Sequence, residues 1–524
     1  MEIRQVRPVL SLLSDQAANV NGRILRRATM YFLYTITVLF ILIVLGGGGF
    51  HYYIHYGRNG RLISLIPGPS GYPIFGNLLQ YIGPREKQWK LLISLIDQYY
   101  PIVKLWGFSI PFVFIRHPDD LQTILSSRHH IRKNFFYDVL RPWMGNNILI
   151  SEGAKWRSIR KTVTPAFHFD ILKQHAEILI KEGENLTTSL KNTGGTVVKD
   201  LVSFVSEHTL NAICETSMGI SLRDFGEFQQ KYRKAVNRIG ELFIYRLVRM
   251  WLHNDWIFSL TSKGKEQENI LRMLHGFTNH IITERKRYHE RNNGQLLRRN
   301  GKLSLLDHLI AENRKGRLTD LDVKEQIDGF MFAGHDTTAL NLTYLLMLLA
   351  EHKDIQDRVR NEVNTTFQEN GKKFNKKLLD NLTYLDRCIK ETLRLYPSVF
   401  LISRVAEEDV KLQSYLVPAG TTVVLNIYGV HRDPNFWLNP ETFDPDRFLP
   451  ERTRNRHFYS YIPFSAGSRN CLGQRYAFLQ IKALIAPLIQ NYYLEPIDYL
   501  KNLRLQADLV LRPACPLRVK FVPI

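Results

Sequence analysis

One cysteine in the last quarter of the chain stands in a setting suited to metal ligation. Cys471 lies in the segment 464–473, in a turn bracketed by Gly467 and Gly473, directly before an apolar run at 477–489. Free backbone N–H groups and the dipole at a helix start stabilise a thiolate, and a thiolate held this way suits the axial position of a heme iron. The alternative is a buried structural cysteine.

A second group of reactive residues falls inside a long apolar segment, 319–351, whose spacing predicts one very long helix capped by Thr319 and Asp320. Its centre carries Gly334, Asp336 and Thr337. These residue types are poor helix formers, so they predict a local distortion. A hydroxyl beside a carboxylate can relay protons, whereas the alternative is a polar kink with its hydrogen bonds satisfied.

Three shorter motifs are weak taken singly. Glu391 and Arg394 stand at i and i+3, as surface ion pairs often do. Trp156 and Arg160 share a helix face and offer donors to a carboxylate. The run 431–433 has the letters of a kinase catalytic loop, but the required asparagine and the glycine-rich loop are missing, so we dismiss a kinase.

Composition narrows the class of protein. The chain has 524 residues, a formal net charge of +21 and four cysteines without a CxxC pair, which argues against a disulfide scaffold or a structural zinc site. The charge favours an acidic protein partner or an anionic membrane, since no nucleic-acid-binding module is recognisable.

A membrane anchor is predicted at 28–50, which is free of charged residues and long enough to cross a bilayer. We therefore divide the chain into an extension (1–27), the anchor (28–50), a polar linker (51–66) and a main domain (67–524). Five arginines precede the anchor and two follow it, so charge alone would translocate the main domain. Met30 is an alternative start, which would remove this bias and leave 1–29 outside the mature protein.

Proline placement predicts the fold class. Ten of the 22 prolines lie at or before Pro165, twelve lie at or after Pro397, and none lies between. Proline is excluded from helix interiors, so the middle of the chain is predicted to be helical. Alternating residues at 101–118 predict a strand pair, and 503–511 with 517–522 predict a closing pair. The expected fold is mainly α with a minor β component.

Taken together and in order, these motifs resemble the cytochrome P450 family. They are Trp156-x-x-x-Arg160, the run 333–338, Glu391-x-x-Arg394, the run 443–448, and the segment 464–473. The resemblance covers the chain from Pro67 onward. The runs 137–143, 164–169 and 334–338 are similar to family 4, and the overall texture is similar to an arthropod, microsomal member.

The resemblance implies a cytochrome P450 fold, with the long helix over a heme, and a role for each motif. Cys471 would be the axial ligand of the heme iron, and Asp336 and Thr337 would deliver protons to bound dioxygen. Glu391, Arg394 and Arg447 would form an ion-pair network behind the thiolate loop. The remaining heme-binding residues would be Trp156, Arg160, Ala333, Gly334, Arg404, Phe464, Gly467, Arg469 and Gly473.

The resemblance also implies a monooxygenase that inserts one oxygen atom from dioxygen into an apolar, lipid-like substrate. Its partners would be NADPH–cytochrome P450 reductase, a b-type cytochrome and membrane lipids, with Arg157, Lys161 and Arg475 as docking candidates. It would reside in the endoplasmic reticulum membrane with a single-pass anchor and a cytosolic domain. Many family 4 members carry a glutamate where Ala333 stands, so we expect noncovalent heme b here. The rival functions are a heme-thiolate isomerase or dehydratase of lipid peroxides and a heme-binding sensor.

Overall fold

The computed structural model describes residues 6–223, 225–291 and 304–524. Contacts divide the chain into two units, 1–65 and 66–524. Residues 1–5 of the predicted extension lie outside the described residues.

The N-terminal unit is helical. Helix α1 spans Val6–Tyr56 and α2 spans Arg58–Ser64. Within α1, Thr29–Tyr56 is long and apolar enough to cross a membrane and is consistent with an anchor. The polar linker predicted at 51–66 is therefore largely helical, because the apolar helix continues through a cluster of tyrosines and histidines after Phe50.

The second unit is mostly helical, as predicted. Its longer α-helices are α3 (Arg85–Gln98), α4 (Pro118–Ser126), α6 (Gly153–Val163), α7 (Phe169–Lys191), α8 (Leu201–Ile213), α9 (Gly226–Leu247), α11 (Ser262–Arg291), α12 (Leu305–Arg314), α13 (Asp320–Glu351), α14 (Lys353–Glu369), α16 (Thr383–Leu395) and α19 (Gln474–Asn491). The short ones are α5 (Arg141–Met144), α10 (Asp255–Ser259), α15 (Lys376–Asn381), α17 (Ile427–Val430) and α18 (Pro450–Thr453).

Within the described residues the strands form four small sheets. They are β1 (Ile102–Gly107), β2 (Ile110–Ile115), β3 (Val197–Asp200), β4 (Leu401–Val405), β5 (Val410–Lys411), β6 (Leu416–Val417), β7 (Thr422–Asn426), β8 (Tyr492–Pro496), β9 (Leu505–Gln506), β10 (Arg512–Pro513) and β11 (Arg518–Pro523). The largest sheet has the order β1-β2-β7-β4, with β2 and β7 parallel.

The strand pair at 101–118 is confirmed by the antiparallel pairing of β1 with β2. The predicted closing pair is wrong, because the segments 503–511 and 517–522 do not pair with each other. Strand β9 pairs with β10, and β11 lies between β3 and β8. Both segments have strand-like sequences, but β11 pairs on one side with β3, which lies far earlier in the chain, and local patterning does not reveal such a pairing.

The long helix α13 is the axis of the second unit. Its start is confirmed: the Thr319 hydroxyl accepts from the Asp322 N–H at 3.0 Å, and Asp322 bonds back to the Thr319 N–H, which forms a capping box. The helix packs against α8 and α16 and is buried along its second half. It runs without a break through 333–338, where the sequence had predicted a distortion.

Helix α19 carries the cysteine turn at its start and packs closely on α7. Pro487 stands inside α19 and cannot donate to the carbonyl of Ala483. Gly183 of α7 lies directly against that carbonyl, and a Cβ at this position would collide with it. The close crossing of the two helices therefore depends on a proline in one and a glycine in the other.

Candidate active site

The described residues of the second unit enclose a cavity of about 560 Å³ between the middle of α13 and the segment 463–473. Helices α6 and α9, strand β4 and the β9–β10 loop also line it, together with strands β1 and β2 and the segment 133–149. The lining is mostly apolar, as in small-molecule sites. Cys471 lines this cavity and is exposed within it.

The cysteine turn is held by the backbone. The Cys471 N–H donates to the Phe464 carbonyl at 2.9 Å. Gly467 has a φ of +72°, and a side chain at this position would strike the Leu125 carbonyl. Glycine is therefore required here for both conformation and space.

Gly473 serves another purpose than the predicted turn. Its φ of −84° is open to any residue, and an added Cβ would lie 3.8 Å from the Cys471 sulfur. It is the N-cap residue of α19, and the sulfur lies at an ordinary van der Waals distance from the position of its missing Cβ. Burial raises the pKa of the Cys471 thiol, while the N–H groups of Gly473 and Gln474 and the charge of Arg160 lower it.

Helix α13 forms the opposite wall through Ala333, Gly334, Thr337 and Thr338. The Thr337 hydroxyl donates to the Ala333 carbonyl at 2.6 Å. The missing side chain of Gly334 accommodates Ile213 of α8, whose Cδ1 would lie 2.5 Å from an added Cβ.

Asp336 does not line the cavity with Thr337. Its carboxylate is buried and accepts from Arg512 Nη2 at 2.5 Å. The predicted acid–hydroxyl pair is thus split: adjacent residues on a helix point about 100° apart, and only the hydroxyl faces the cavity.

Four cationic side chains line one end of the cavity: Lys133, Arg160, Arg404 and Arg469. Within the described residues none of them forms a salt bridge with a carboxylate. Arg160 donates to the carbonyl and side chain of Asn470, at 2.8 and 2.7 Å. Arg404 donates to its neighbour's carbonyl, and Arg469 to that of Ser151.

This cluster of four cations has no negative charge paired with it among the described residues. Burial, together with Arg404 and Arg469, holds the pKa of Lys133 well below its usual range. Burial and Arg404 lower the pKa of Arg469 to about 10. Trp156 packs beneath Arg469, with the guanidinium carbon 4.4 Å from a ring centre. Buried cations without counter-ions are costly, so the cluster is suited to an anionic group bound in the cavity.

These observations fit a heme. A thiol on one wall, a helix with small residues on the other, and unpaired cations at one end suit an iron porphyrin with two carboxylates. Lys133 was missed from the sequence, because a lysine in a loop without regular structure carries no local pattern.

The predicted ion-pair network is present and buried. Arg394 holds Glu391 with two hydrogen bonds, at 2.7 and 2.8 Å, and Arg447 adds one at 3.1 Å. Arg394 also donates to the carbonyls of His431 and Pro440. The Glu391–Arg394 pair, whose spacing is typical of a surface ion pair, is thus fully buried. It also forms hydrogen bonds with several segments of the chain.

His431, dismissed above as part of a kinase-like run, joins this network to the cysteine segment. Its Nε2 accepts from the Ile462 N–H at 2.9 Å, and the Ile462 carbonyl accepts from the Ser465 N–H at 2.9 Å. Burial and Arg394 lower the pKa of His431 to about 3, so the ring stays neutral and can accept.

The structure therefore brings most of the predicted heme-site residues to one cavity. Those that line it are Trp156, Arg160, Ala333, Gly334, Thr337, Arg404, Phe464, Arg469, Cys471 and Gly473. Gly467 shapes the turn outside the lining, and Asp336 lies behind it. Glu391, Arg394 and Arg447 stand apart as a supporting network.

A cysteine facing the middle of a long helix across an apolar cavity is the arrangement of a heme-thiolate oxygenase. The sequence model described as Cytochrome P450 matches residues 66–521. The chain belongs to this family and is a cytochrome P450 monooxygenase of family 4 type. Membership implies a heme cofactor, a redox partner and a small-molecule substrate.

Curated relatives come from insects and mammals. The chain is 36% identical to "Cytochrome P450 4c3" of Drosophila melanogaster, over 88% of this chain and 90% of that one. It is 35% identical to "Cytochrome P450 4c21" of Blattella germanica, over 89% and 95%. It is 34% identical to "Cytochrome P450 4V2" of Homo sapiens, over 89% and 91%.

Proposed function

We propose that this protein is a membrane-anchored monooxygenase that inserts one oxygen atom from dioxygen into an apolar, lipid-like substrate. Fatty acids, hormones and apolar xenobiotics belong to this class. The observation that carries the proposal is the cavity itself, where Cys471 and Thr337 face an apolar lining that includes Phe136, Leu140 and Phe243.

In this proposal, different residues ligate the iron, bind the heme carboxylates and hold the cysteine turn. A heme bound through a cysteine thiolate supplies the chemistry that activates dioxygen. Cys471 would ligate the iron, while Lys133, Arg160, Arg404 and Arg469 would bind the two heme carboxylates with Trp156. Phe464 packs against Phe478 with ring centres 5.8 Å apart and would fix the cysteine turn.

The proton-handling residues would be Thr337 and Asp336. Thr337 lies on the cavity wall, and its hydroxyl would be the last group to hold a proton before the cavity. Asp336, one residue earlier, would supply that proton from the buried side. The exchange requires the Asp336 carboxylate to loosen its bond to Arg512.

The heme would be heme b, held without a covalent ester. Ala333 lines the cavity where family 4 relatives often place a glutamate, and a methyl group cannot form an ester. Two electrons would come from NADPH through NADPH–cytochrome P450 reductase, with a b-type cytochrome as a second donor. Arg157, Lys161 and Arg475 are exposed and would meet an acidic partner.

The proposed location is the endoplasmic reticulum membrane, with one span and a cytosolic catalytic domain. The apolar helix segment Thr29–Tyr56 supports the anchor. Domain 67–524 would carry all of the catalytic residues. Glycosylation-site mapping would test the orientation, because a lumenal domain would become glycosylated and a cytosolic one would not.

The Cys471→Ser variant tests the central assignment. We expect the reduced carbon monoxide difference spectrum of a thiolate-ligated heme from the parent protein and its loss in the variant. Cys515→Ser, outside the cavity lining, is the matched control and should keep the spectrum. A thiolate spectrum that survived in Cys471→Ser would overturn the assignment.

Turnover separates the proposed function from its rivals. NADPH-dependent product formation with a reductase supports the monooxygenase. Conversion of a lipid hydroperoxide without a reductase would identify an isomerase or dehydratase, and a thiolate spectrum with neither activity would identify a sensor.

A further inference from the structure

The buried Asp336 is the inner end of a chain of charges that reaches the protein surface. Arg512 Nη2 bonds Asp336, and Arg512 Nε lies 3.4 Å from Asp508 Oδ2. Asp508 bonds Arg85 at 2.6 Å, and Arg85 bonds Glu241 of α9 at 2.8 Å. Acidic and basic groups alternate at every step.

The chain continues beyond α9. Glu241 bonds Arg238 on the same helix, and Arg238 bonds Glu266 of α11 at 2.5 Å. The inner members are almost fully buried, with side-chain exposures of 4% for Asp336 and 1% for Asp508, whereas Glu241 is 33% exposed. Buried charges are coupled more strongly than exposed ones, so the inner contacts dominate.

Arg512 forms a hydrogen bond with Asp336 but not with Asp508. Its Nη2 is hydrogen-bonded to Asp336, but its Nε lies near Asp508 without hydrogen-bond geometry and is otherwise unpaired. A small approach of Asp508 would complete the second bond and draw the guanidinium from Asp336. The position of Asp508 would therefore affect how firmly Asp336 is held.

Helix α9 in turn sets the position of Asp508 in two ways. Gly240 lies so close to the Asp508 carboxylate that an added Cβ would collide with Oδ1. The next residue, Glu241, bonds Arg85, which holds the same carboxylate. Helix α9 is also a wall of the cavity, through Phe243, Ile244 and Leu247.

We propose that Arg512 is a positioning residue that transmits the position of α9 to the Asp336 carboxylate, through Asp508. A ligand that moves α9 thereby changes the hold on Asp336, so proton supply responds to occupation of the cavity. This inference rests on the proposed monooxygenase function, in which Asp336 supplies the proton to Thr337.

Two measurements on the heme-loaded full chain test it. The variants are Asp508→Asn at the centre of the chain, Arg512→Gln, and Glu241→Gln at the half-exposed end, which is the least disruptive to folding. Arg518→Gln is the matched control, because Arg518 of β11 pairs with Asp498 at the surface, away from this chain of charges. All variants are first checked for the thiolate spectrum, which holds the proposed function fixed.

The first measurement is hydrogen–deuterium exchange followed by mass spectrometry. We expect exchange in the α9 peptides (226–247) to rise severalfold in Asp508→Asn and Glu241→Gln and to stay unchanged in the control. Unchanged α9 exchange in both variants would overturn the link between α9 and Asp508.

The second measurement is the ratio of hydrogen peroxide to water formed per NADPH with a reductase and no added substrate. Two electrons and two protons reduce dioxygen to peroxide, and two more of each are needed for water. We expect the ratio to rise roughly fivefold in Asp336→Asn, at the low end of coupling between sites. We expect it to fall in Glu241→Gln and Arg512→Gln, because both changes loosen the hold of Arg512 on Asp336.

A double variant decides between coupled and independent residues. When two residues act through one another, the effects of their substitutions do not add. The double variant Asp336→Asn/Glu241→Gln should match Asp336→Asn alone. Additive ratios, or a parental ratio in Glu241→Gln, would overturn the proposal while the thiolate spectrum leaves the proposed function standing.

Discussion

Single residues would decide how the heme is held in the proposed site. Ala333 offers no carboxylate to the cavity, and none of the four cations that line it forms a salt bridge with a carboxylate of the described residues, so iron ligation and charge pairing would be the available attachments.

The first prediction concerns Ala333. Acid–acetone treatment should extract all of the heme from the polypeptide, because no ester can form at a methyl side chain. The measurement is heme absorbance in the precipitated protein. Heme retained by the polypeptide would contradict noncovalent binding.

A second prediction concerns Lys133. Lys133→Gln should weaken heme retention by about 10- to 100-fold, because a charge-assisted hydrogen bond contributes roughly 1.5–3 kcal/mol. The rate of heme transfer to apomyoglobin measures the effect. Lys161→Gln, an exposed cation on α6, should leave that rate at the parental value. Equal rates in all three proteins would show that Lys133 does not bind the carboxylates.

At the scale of elements, the network of Glu391, Arg394 and Arg447 ties α16 to the segments before the cysteine turn. Its bonds to backbone carbonyls span residues 431–442, and His431 carries the connection to Ile462. The network therefore orients a loop that it does not touch.

The third prediction follows from the complete burial of Glu391 and Arg394. Arg394→Ala should destabilise the domain by about 3–5 kcal/mol, because it leaves the Glu391 carboxylate buried without its partner. Denaturant unfolding measures the loss. Arg452→Ala, which breaks an exposed pair with Asp444, should cost less than about 1 kcal/mol. Similar costs for the two variants would refute the structural role.

The helices and strands could be predicted from the sequence more accurately than the contacts between them. The long helix and its cap were predictable because capping and apolar spacing are local, as was the β1–β2 pair. The β3–β11 pairing and the Arg512–Asp336 bond were not, since both join segments far apart in the chain. The Glu391–Arg394 spacing was visible in the sequence, but its burial depends on tertiary packing.

At the scale of the whole molecule, buried neutral histidines limit stability in acid. Burial lowers the pKa of His175 and of His335 to about 4, and that of His431 to about 3. Their ordinary value is 6.5, so the unfolded chain binds protons at a higher pH than the folded protein does.

The fourth prediction is that stability falls as the pH drops from about 6.5 towards 4. In this window the unfolded state binds more protons, and each buried histidine should cost on the order of 2 kcal/mol. The urea midpoint measured at several pH values checks this. His175→Gln should reduce the pH dependence and His168→Gln, at an exposed position, should not. A midpoint independent of pH across the window would contradict the prediction.

The central position of β11 in its three-stranded sheet has a consequence for biosynthesis. Leu517, next to β11, bonds Asp200 of β3 across 317 positions of the chain. At roughly 5–20 residues per second, a ribosome needs about 15–60 s to cover that distance. Throughout that time the β3 edge has no partner on the nascent chain, so the sheet closes late, and a chaperone that shields this edge would act in that interval.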